Sequence, residues 1–245
     1  MRVLSFNTGY FLGYSGKHLD YLKRPQKSIL PPSKEDDNFQ LFFSLVDRTE
    51  PDIVLLQEVD GGSIRTSTDG QDQYISHKLN GYQGGFANKY RGSIFSSLPM
   101  LRYMGNMVLY REGEYREHRL SIGRKNLVQE IELEGLSVFS LHLSTIGGWI
   151  RKRQMKEFRD ILDDRDRFVV AGDMNLHKGR EEQLKIEKIL GRPINSPGKT
   201  FPSSAPAKEL DLVVNSENLK INRLKKHDSH FSDHKPVSFE VDHRI

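Results

Sequence analysis

The sequence predicts an α/β fold with a mixed β-sheet core, and three observations carry that prediction. Short apolar runs at 53–56 and 168–171 are closed by polar residues or glycine, as buried strands are. Phe39, Phe42, Phe43 and Val46 recur at helical spacing and mark one apolar helix face. Residues 127–133 alternate, turn at Glu134 and Gly135, and return over 136–143, the pattern of a β-hairpin. Strands and helices interleave along the whole chain without repeat, linker or composition break, so one domain over residues 1–245 is expected.

Composition sets the outer limits. The 245 residues are 36% hydrophobic and 29% charged, which describes a globular chain with a sizeable core. No apolar run reaches the length of a bilayer span. Residues 1–7 read as a strand rather than a leader, so the expected location is the cytoplasm. With no cysteine, disulfides, thiolate nucleophiles and cysteine-held zinc are excluded. The net charge of +4 suits a polyanionic partner without marking one, because the basic residues are spread out.

The elements follow in order. Residues 2–7 form the first strand and end at Asn7. The loop holding Gly9, Tyr10, Gly13, Tyr14 and Gly16 is expected at the surface, where its aromatics could meet a ligand. Ser33 is the expected N-cap of the helix that carries Phe39 to Val46, and Pro51 stops that helix. The strand at 53–56 ends in Gln57 and Glu58. A helix is expected over 71–79, with short strands at 84–86, 93–95 and 103–110. The hairpin's return strand ends at His142. A helix over 149–163 buries Met155, Phe158 and Leu162, and its start, Arg151, Lys152 and Arg153, reads as a solvated face. The strand at 168–171 runs into Gly172, Asp173, Met174 and Asn175. A helix at 181–190, a proline-rich loop to 207 and a strand at 210–214 with Asp211 come next. A loop carries His227, His230, Asp233 and His234, and an edge-type strand through Val237, Phe239 and Val241 closes the chain.

Asn7, Glu58, His142, Asp173, Asn175, Asp211, Asp233 and His234 thus lie at or near strand or loop ends, which suggests one shared cleft. Any one of them could be an ordinary turn or capping residue. Their recurrence carries the argument. The set joins carboxylates to imidazoles and carboxamides, with no thiol, serine elbow or H-E-x-x-H zinc pattern. Magnesium, or manganese in its place, takes one or two carboxylates plus water and phosphate oxygens. That donor set fits metal-assisted attack of water on a phosphate ester.

The same residues sit in motifs that resemble the endonuclease/exonuclease/phosphatase superfamily, the group related to deoxyribonuclease I and exonuclease III. In order, these are Asn7, Leu55-Leu56-Gln57-Glu58, Met104-Gly105-Asn106-Met107-Val108-Leu109, Leu141-His142-Leu143 and Arg153-Gln154. Gly172-Asp173-Met174-Asn175, Thr200-Phe201-Pro202 with Leu210-Asp211, and Ser232-Asp233-His234-Lys235-Pro236-Val237 complete the series. The resemblance implies a four-layer α/β sandwich, two mixed central β-sheets flanked by helices. It also implies roles: Glu58, with Asn7 and Asp233 nearby, organises the cation, and Asp173 orients or deprotonates the attacking water. Asn175 and His142 hold the phosphate, and His234, paired with Asp211, stabilises the pentavalent transition state. Asn106 and Arg151 are substrate-binding candidates.

Val59-Asp60 stands where exonuclease III-type repair enzymes usually carry Thr-Lys, and the Thr200-Phe201-Pro202 loop resembles the branch of tyrosyl-DNA phosphodiesterases and deadenylases. The expected activity is magnesium-dependent phosphodiester hydrolysis on nucleic acid or a nucleic-acid adduct, by a monomer. The alternative is the same chemistry on a phospholipid headgroup or small phosphoester, as in sphingomyelinase-like or inositol-phosphatase-like relatives; a non-catalytic binding domain is the third class. Lys89, Arg91, Arg102, Arg111, Arg124, Lys125, Arg151 and Lys152 are candidates to hold a polyanion, and the aromatics of residues 10–14 to stack on an unpaired base.

Overall fold

The structure, a computed structural model, describes the chain apart from residues 17–34, 67–69, 91–100, 229–230 and 243–245. Its first half runs β1 (Arg2–Asn7), α1 (Glu35–Thr49), β2 (Ile53–Asp60), α2 (Gln71–Lys78), β3 (Gln83–Asn88), β4 (Met104–Tyr110) and β5 (Glu114–Arg119). Its second runs β6 (Leu127–Leu133), β7 (Leu136–His142), α3 (Gly148–Leu162), β8 (Phe168–Asp173), α4 (Arg180–Leu190), β9 (Ile194–Asn195), β10 (Asp211–Asn215), β11 (Lys220–Lys226) and β12 (Val237–Asp242).

The strands form two six-stranded sheets, ordered β11-β12-β1-β2-β4-β3 and β5-β6-β7-β8-β10-β9. Each is mixed, because β1 pairs with β2 and β7 with β8 in parallel while their other neighbours are antiparallel. Side chains alternate across a strand, and that alternation builds the layers. Val3, Ile53, Leu55, Val138, Val169 and Val213 fill the space between the sheets. Leu4, Phe6 and Leu56 face the other way, onto Phe39 and Phe42 of α1. Phe139, Leu141 and Val170 likewise pack on Met155 and Phe158 of α3 and Ile186 of α4. The result is the expected sandwich: helices, sheet, sheet, helices. No helix among the described residues is long and apolar enough to cross a membrane.

Three expectations are corrected. Tyr10, Phe11, Leu12 and Tyr14 are buried, so the loop after β1 is part of the packing and not a stacking surface. Strands β5 and β11, Glu-Tyr-Arg-Glu-His-Arg and Lys-Ile-Asn-Arg-Leu-Lys-Lys, are additional to the expected elements: both are sheet edges whose side chains are mostly charged and solvated, while Tyr115, Ile221 and Leu224 pack inward. With β11 outside it, β12 is an interior strand rather than an edge. Arg151 is buried: its guanidinium pairs with Glu182 and donates to the carbonyls of Ser144 and Thr145, tying α3 to α4 and to the end of β7. It is neither a solvated residue nor a hand for substrate. Ser33, Arg91, the strand at 93–95 and His230 lie outside the described residues.

Candidate active site

The site forms where two rows of inward-facing residues meet at one end of the sandwich. In the second sheet, His142 pairs with Asp173 and Asp173 with Asp211, so β7, β8 and β10 place the three side by side. In the first, Asn7 pairs with Gln57 and Gln57 with Asn106 across β1, β2 and β4. All six continue the alternation that points Val3, Leu55, Val138, Val169 and Val213 between the sheets. The alternation places Glu58 on the opposite face, with Leu56. A β-bulge prevents this. The register shifts between Gln57 and Val59, Glu58 adopts φ +60°, and Val59 takes the helix-facing place instead. Asn106 Oδ1 accepts from the Glu58 amide at 3.2 Å, and Thr8 Oγ1 donates to the Glu58 carbonyl at 2.5 Å, which fixes the bulge.

Asp173 is the most enclosed group. Its Oδ2 accepts from Asn7 Nδ2 and from Asn175 Nδ2, both at 3.0 Å, and its Oδ1 from the Asn175 amide at 3.0 Å. His142 Nε2 lies 3.3 Å from Oδ2 and His234 Nε2 3.8 Å. Burial alone would raise this carboxyl; His234 and the hydrogen-bonded His142 overcome it and hold it far below the usual carboxylate range. Asn175 reaches back from a left-handed turn (φ +52°), and its amide group also donates to Leu143 O. Its two amide protons are therefore engaged. In this arrangement Asn175, like Asn7, donates to Asp173 Oδ2.

His234 sits in the loop before β12, buried, its ring 4.9 Å from that of Phe201. Its Nδ1 is 2.8 Å from Asp211 Oδ2. Burial opposes the charged ring, yet Asp211, Asp173 and Asp233 together push its pKa up to about 10. That value favours the imidazolium at neutral pH, with Nδ1–H on Asp211 and Nε2 3.8 Å from Asp173 Oδ2. Asp233, expected beside Glu58, acts here on His234, and its Oδ1 is 3.0 Å from where a Cβ on Gly9 would stand. His142 behaves oppositely. Burial and the neighbouring Lys125 charge lower it to about 4 against its bond to Asp173, so it is neutral.

Glu58 is balanced by lysines. Its Oε1 is 3.2 Å from Lys125 Nζ, 3.9 Å from Lys89 Nζ and 3.8 Å from His142 Nε2. Burial raises this carboxyl, but Lys125 and Lys89 bring it down to about 2. Lys89 is buried and donates to Tyr10 Oη at 2.6 Å. Of the polyanion candidates, Lys89 and Lys125 therefore belong to the site itself. Lys125 also walls a pocket of about 550 Å³ with Tyr90, Arg124, Ser144, Thr145 and Ile150. The exposed Ile146 and Trp149 stand at 76% and 65% accessibility on the same loop and helix start.

Among the described residues, two places could serve a divalent cation. Asp173, Asp211 and His234 each offer an atom, all within 4.8 Å of one another. That set requires His234 to shed a proton that two carboxylates stabilise. Glu58 offers a carboxylate that is still 20% exposed and already matched to positive charge. Of these carboxylates Glu58 is the most open to an incoming hard cation, Asp173 and Asp211 being 2% and 3% exposed.

A model of the Endonuclease/Exonuclease/phosphatase family matches residues 4–234. Similar solved structures include a humanized D. rerio TDP2 carrying 14 mutations, 13% identical with TM-score 0.64, each chain covered to 99%. A mannosyl-6-phosphatase of Bacteroides thetaiotaomicron VPI-5482 is 13% identical with TM-score 0.66, covering 99% of this chain and 100% of that one. A beta toxin of Staphylococcus aureus is 17% identical with TM-score 0.63, covering 98% and 99%. At such identities the likeness is one of fold. No curated protein matches the sequence.

Proposed function

The chain belongs to the endonuclease/exonuclease/phosphatase family, and on that premise we propose that it is a metal-dependent phosphoester hydrolase acting on phosphodiesters of single-stranded nucleic acid. The observation that carries the reading is the chain of contacts from Asp211 through the charged His234 to Asp173. It sets a positive donor beside a fixed anion, the arrangement that transfer of a phosphoryl group to water uses.

Asp173, held by Asn7 and Asn175, orients the attacking water through its carboxylate. His234 presents Nε2–H to the phosphoryl oxygen on which charge develops, and Asp211 keeps that proton in place. Glu58, fixed by its bulge, would hold the cation. When bound, a magnesium ion supplies Lewis-acid polarisation of the phosphate. The pocket beside Lys125 is large enough for a nucleotide-sized group. Tyr90 and Trp149 offer faces for an unpaired base, and Arg124 and Lys152 offer charge for flanking phosphates. A second reading, a lipid headgroup substrate, is favoured by one observation: Ile146 and Trp149 are exposed apolar groups at the same rim.

The test is a screen of purified protein, with magnesium and with a chelator. The substrates are single-stranded DNA, RNA, a bis-aryl phosphate and sphingomyelin vesicles. Magnesium-dependent cleavage of a nucleic acid that weakens steeply with salt is expected. Cleavage confined to vesicles would move the substrate to lipid. No turnover of any phosphoester by folded protein would end the reading.

A further inference from the structure

Lys125 reaches Glu58 from the loop between β5 and β6, and that loop is clamped. Gln154 of α3, fully buried, donates from Nε2 to Ile122 O at 3.0 Å and to Lys125 O at 2.7 Å, and its Oε1 accepts from the Ser144 amide at 3.0 Å. Gly123 (φ +94°) lies against the same amide; a Cβ there would stand 2.6 Å from Gln154 Nε2. Leu120 N donates to Asn126 O at 2.9 Å and Asn126 Nδ2 to Leu120 O at 3.0 Å, closing the base of the loop. One buried carboxamide thus fixes Lys125, the end of β7 and the start of the pocket wall relative to each other.

Three features mark the present partners of Lys125 as provisional. Its Nζ contacts His142 Nε2, and the same nitrogen faces Asp173 Oδ2. Nε2 of a neutral imidazole carries either a proton or a lone pair, so it cannot donate to Asp173 and accept from Lys125 together. His142 Nδ1 is buried with no hydrogen-bond partner among the described residues. An unpaired acceptor there is less costly than an unpaired N–H, which favours the proton on Nε2 and the bond to Asp173. Glu58, for its part, has a second lysine nitrogen nearby, Lys89 Nζ at 3.9 Å, anchored on Tyr10. A cation at Glu58 would repel the long, partly exposed Lys125 arm first.

We propose that Lys125 is a direct ligand of the scissile phosphate, transferred to its oxygens when cation and substrate enter, and that Gln154 is its positioning residue. The incoming group is chemically defined: a phosphate monoester or diester whose attached moiety sits in the pocket that Lys125 walls. An ammonium is a point donor that can follow a phosphate oxygen as its charge grows. The inference rests on the phosphoesterase reading and deepens it.

The test measures inorganic phosphate binding by calorimetry in the presence of magnesium, alongside kcat and KM on a bis-aryl phosphate. Lys125→Met should weaken phosphate binding by about tenfold or more, consistent with loss of a charge-assisted hydrogen bond of ~1.5–3 kcal/mol, and Lys125→Arg should restore part of it. Magnesium affinity should hold or rise in Lys125→Met, because a positive neighbour of Glu58 is gone. Gln154→Ala should lower kcat/KM while the lysine charge is retained. Unchanged phosphate affinity in Lys125→Met, with or without a lower melting temperature, would overturn the proposal, as would a wild-type protein that binds no phosphate. Phosphate binding that depends on Lys125 in a protein that cleaves nothing would retire the phosphoesterase reading and leave the anion site standing.

Discussion

Asp173 and Glu58 are carboxylates on either side of His142, whose Nε2 is 3.3 Å from the first and 3.8 Å from the second, but they are held by opposite means. Asp173 continues the regular alternation of its strand, is 1% exposed, and is bound by two asparagine side chains and a backbone amide. Its surroundings are complete before any ligand arrives. Glu58 breaks the alternation of its strand through a bulge, stays partly open, and is faced by two lysines on long side chains. The contrast separates a preorganised half, whose dipoles need not move during reaction, from an exchangeable half, whose charge partners can be replaced by a cation.

The sharpest way to break this comparison is to remove the rigid anion. Asp173→Asn should lower kcat by about 10²–10⁴-fold, the range for a positioned acid–base group, with magnesium affinity little changed. Turnover near the wild-type level in steady-state assays would remove Asp173 from the chemistry.

A smaller effect sharpens it. In the wild type, burial opposes but Asp211 and Asp173 raise His234 to about 10, so the imidazolium should persist to alkaline pH. Because the folded value is raised, its stabilising pairing is full below the ordinary imidazole value of about 6.5 and is lost as pH rises through about 10. Asp211→Asn withdraws the larger of the two opposing charges. The alkaline limb of a kcat–pH profile should then move toward neutrality, leaving a deficit at pH 8 that narrows near pH 6. An alkaline limb that stays in place would show that His234 is not the group whose charge is required.

Much of this was legible in the sequence because the inner faces follow a period of two. Val169, Ala171 and Asp173, or Val138, Ser140 and His142, can be read off as one side of a strand, and the facing rows follow. Phe39 to Val46 announced α1 for the same reason at period 3.6. What escaped had no periodic signature. The bulge that turns Glu58 inward depends on Asn106 from another strand. Edge strands β5 and β11 expose charge on both faces, so they look like loops. Arg151 resembled a solvated cation because its partner Glu182 lies 31 residues away on α4. Tyr10 to Tyr14 looked like surface loop aromatics, yet Lys89 and Arg65 pack on Tyr10 beneath the site. Lys125 was visible as a basic residue, but its place between Glu58 and His142 is set by Gln154, a contact that no local pattern encodes.

The division between the two halves is tested most directly by titrating magnesium into wild-type, Glu58→Ala and Asp211→Asn proteins in a calorimeter, with circular dichroism confirming that each is folded. The structure predicts that Glu58→Ala loses the binding isotherm while Asp211→Asn keeps an affinity close to wild type. Magnesium binding that survives in Glu58→Ala and vanishes in Asp211→Asn would place the cation among Asp173, Asp211 and His234, and would contradict the assignment of the two carboxylates made here.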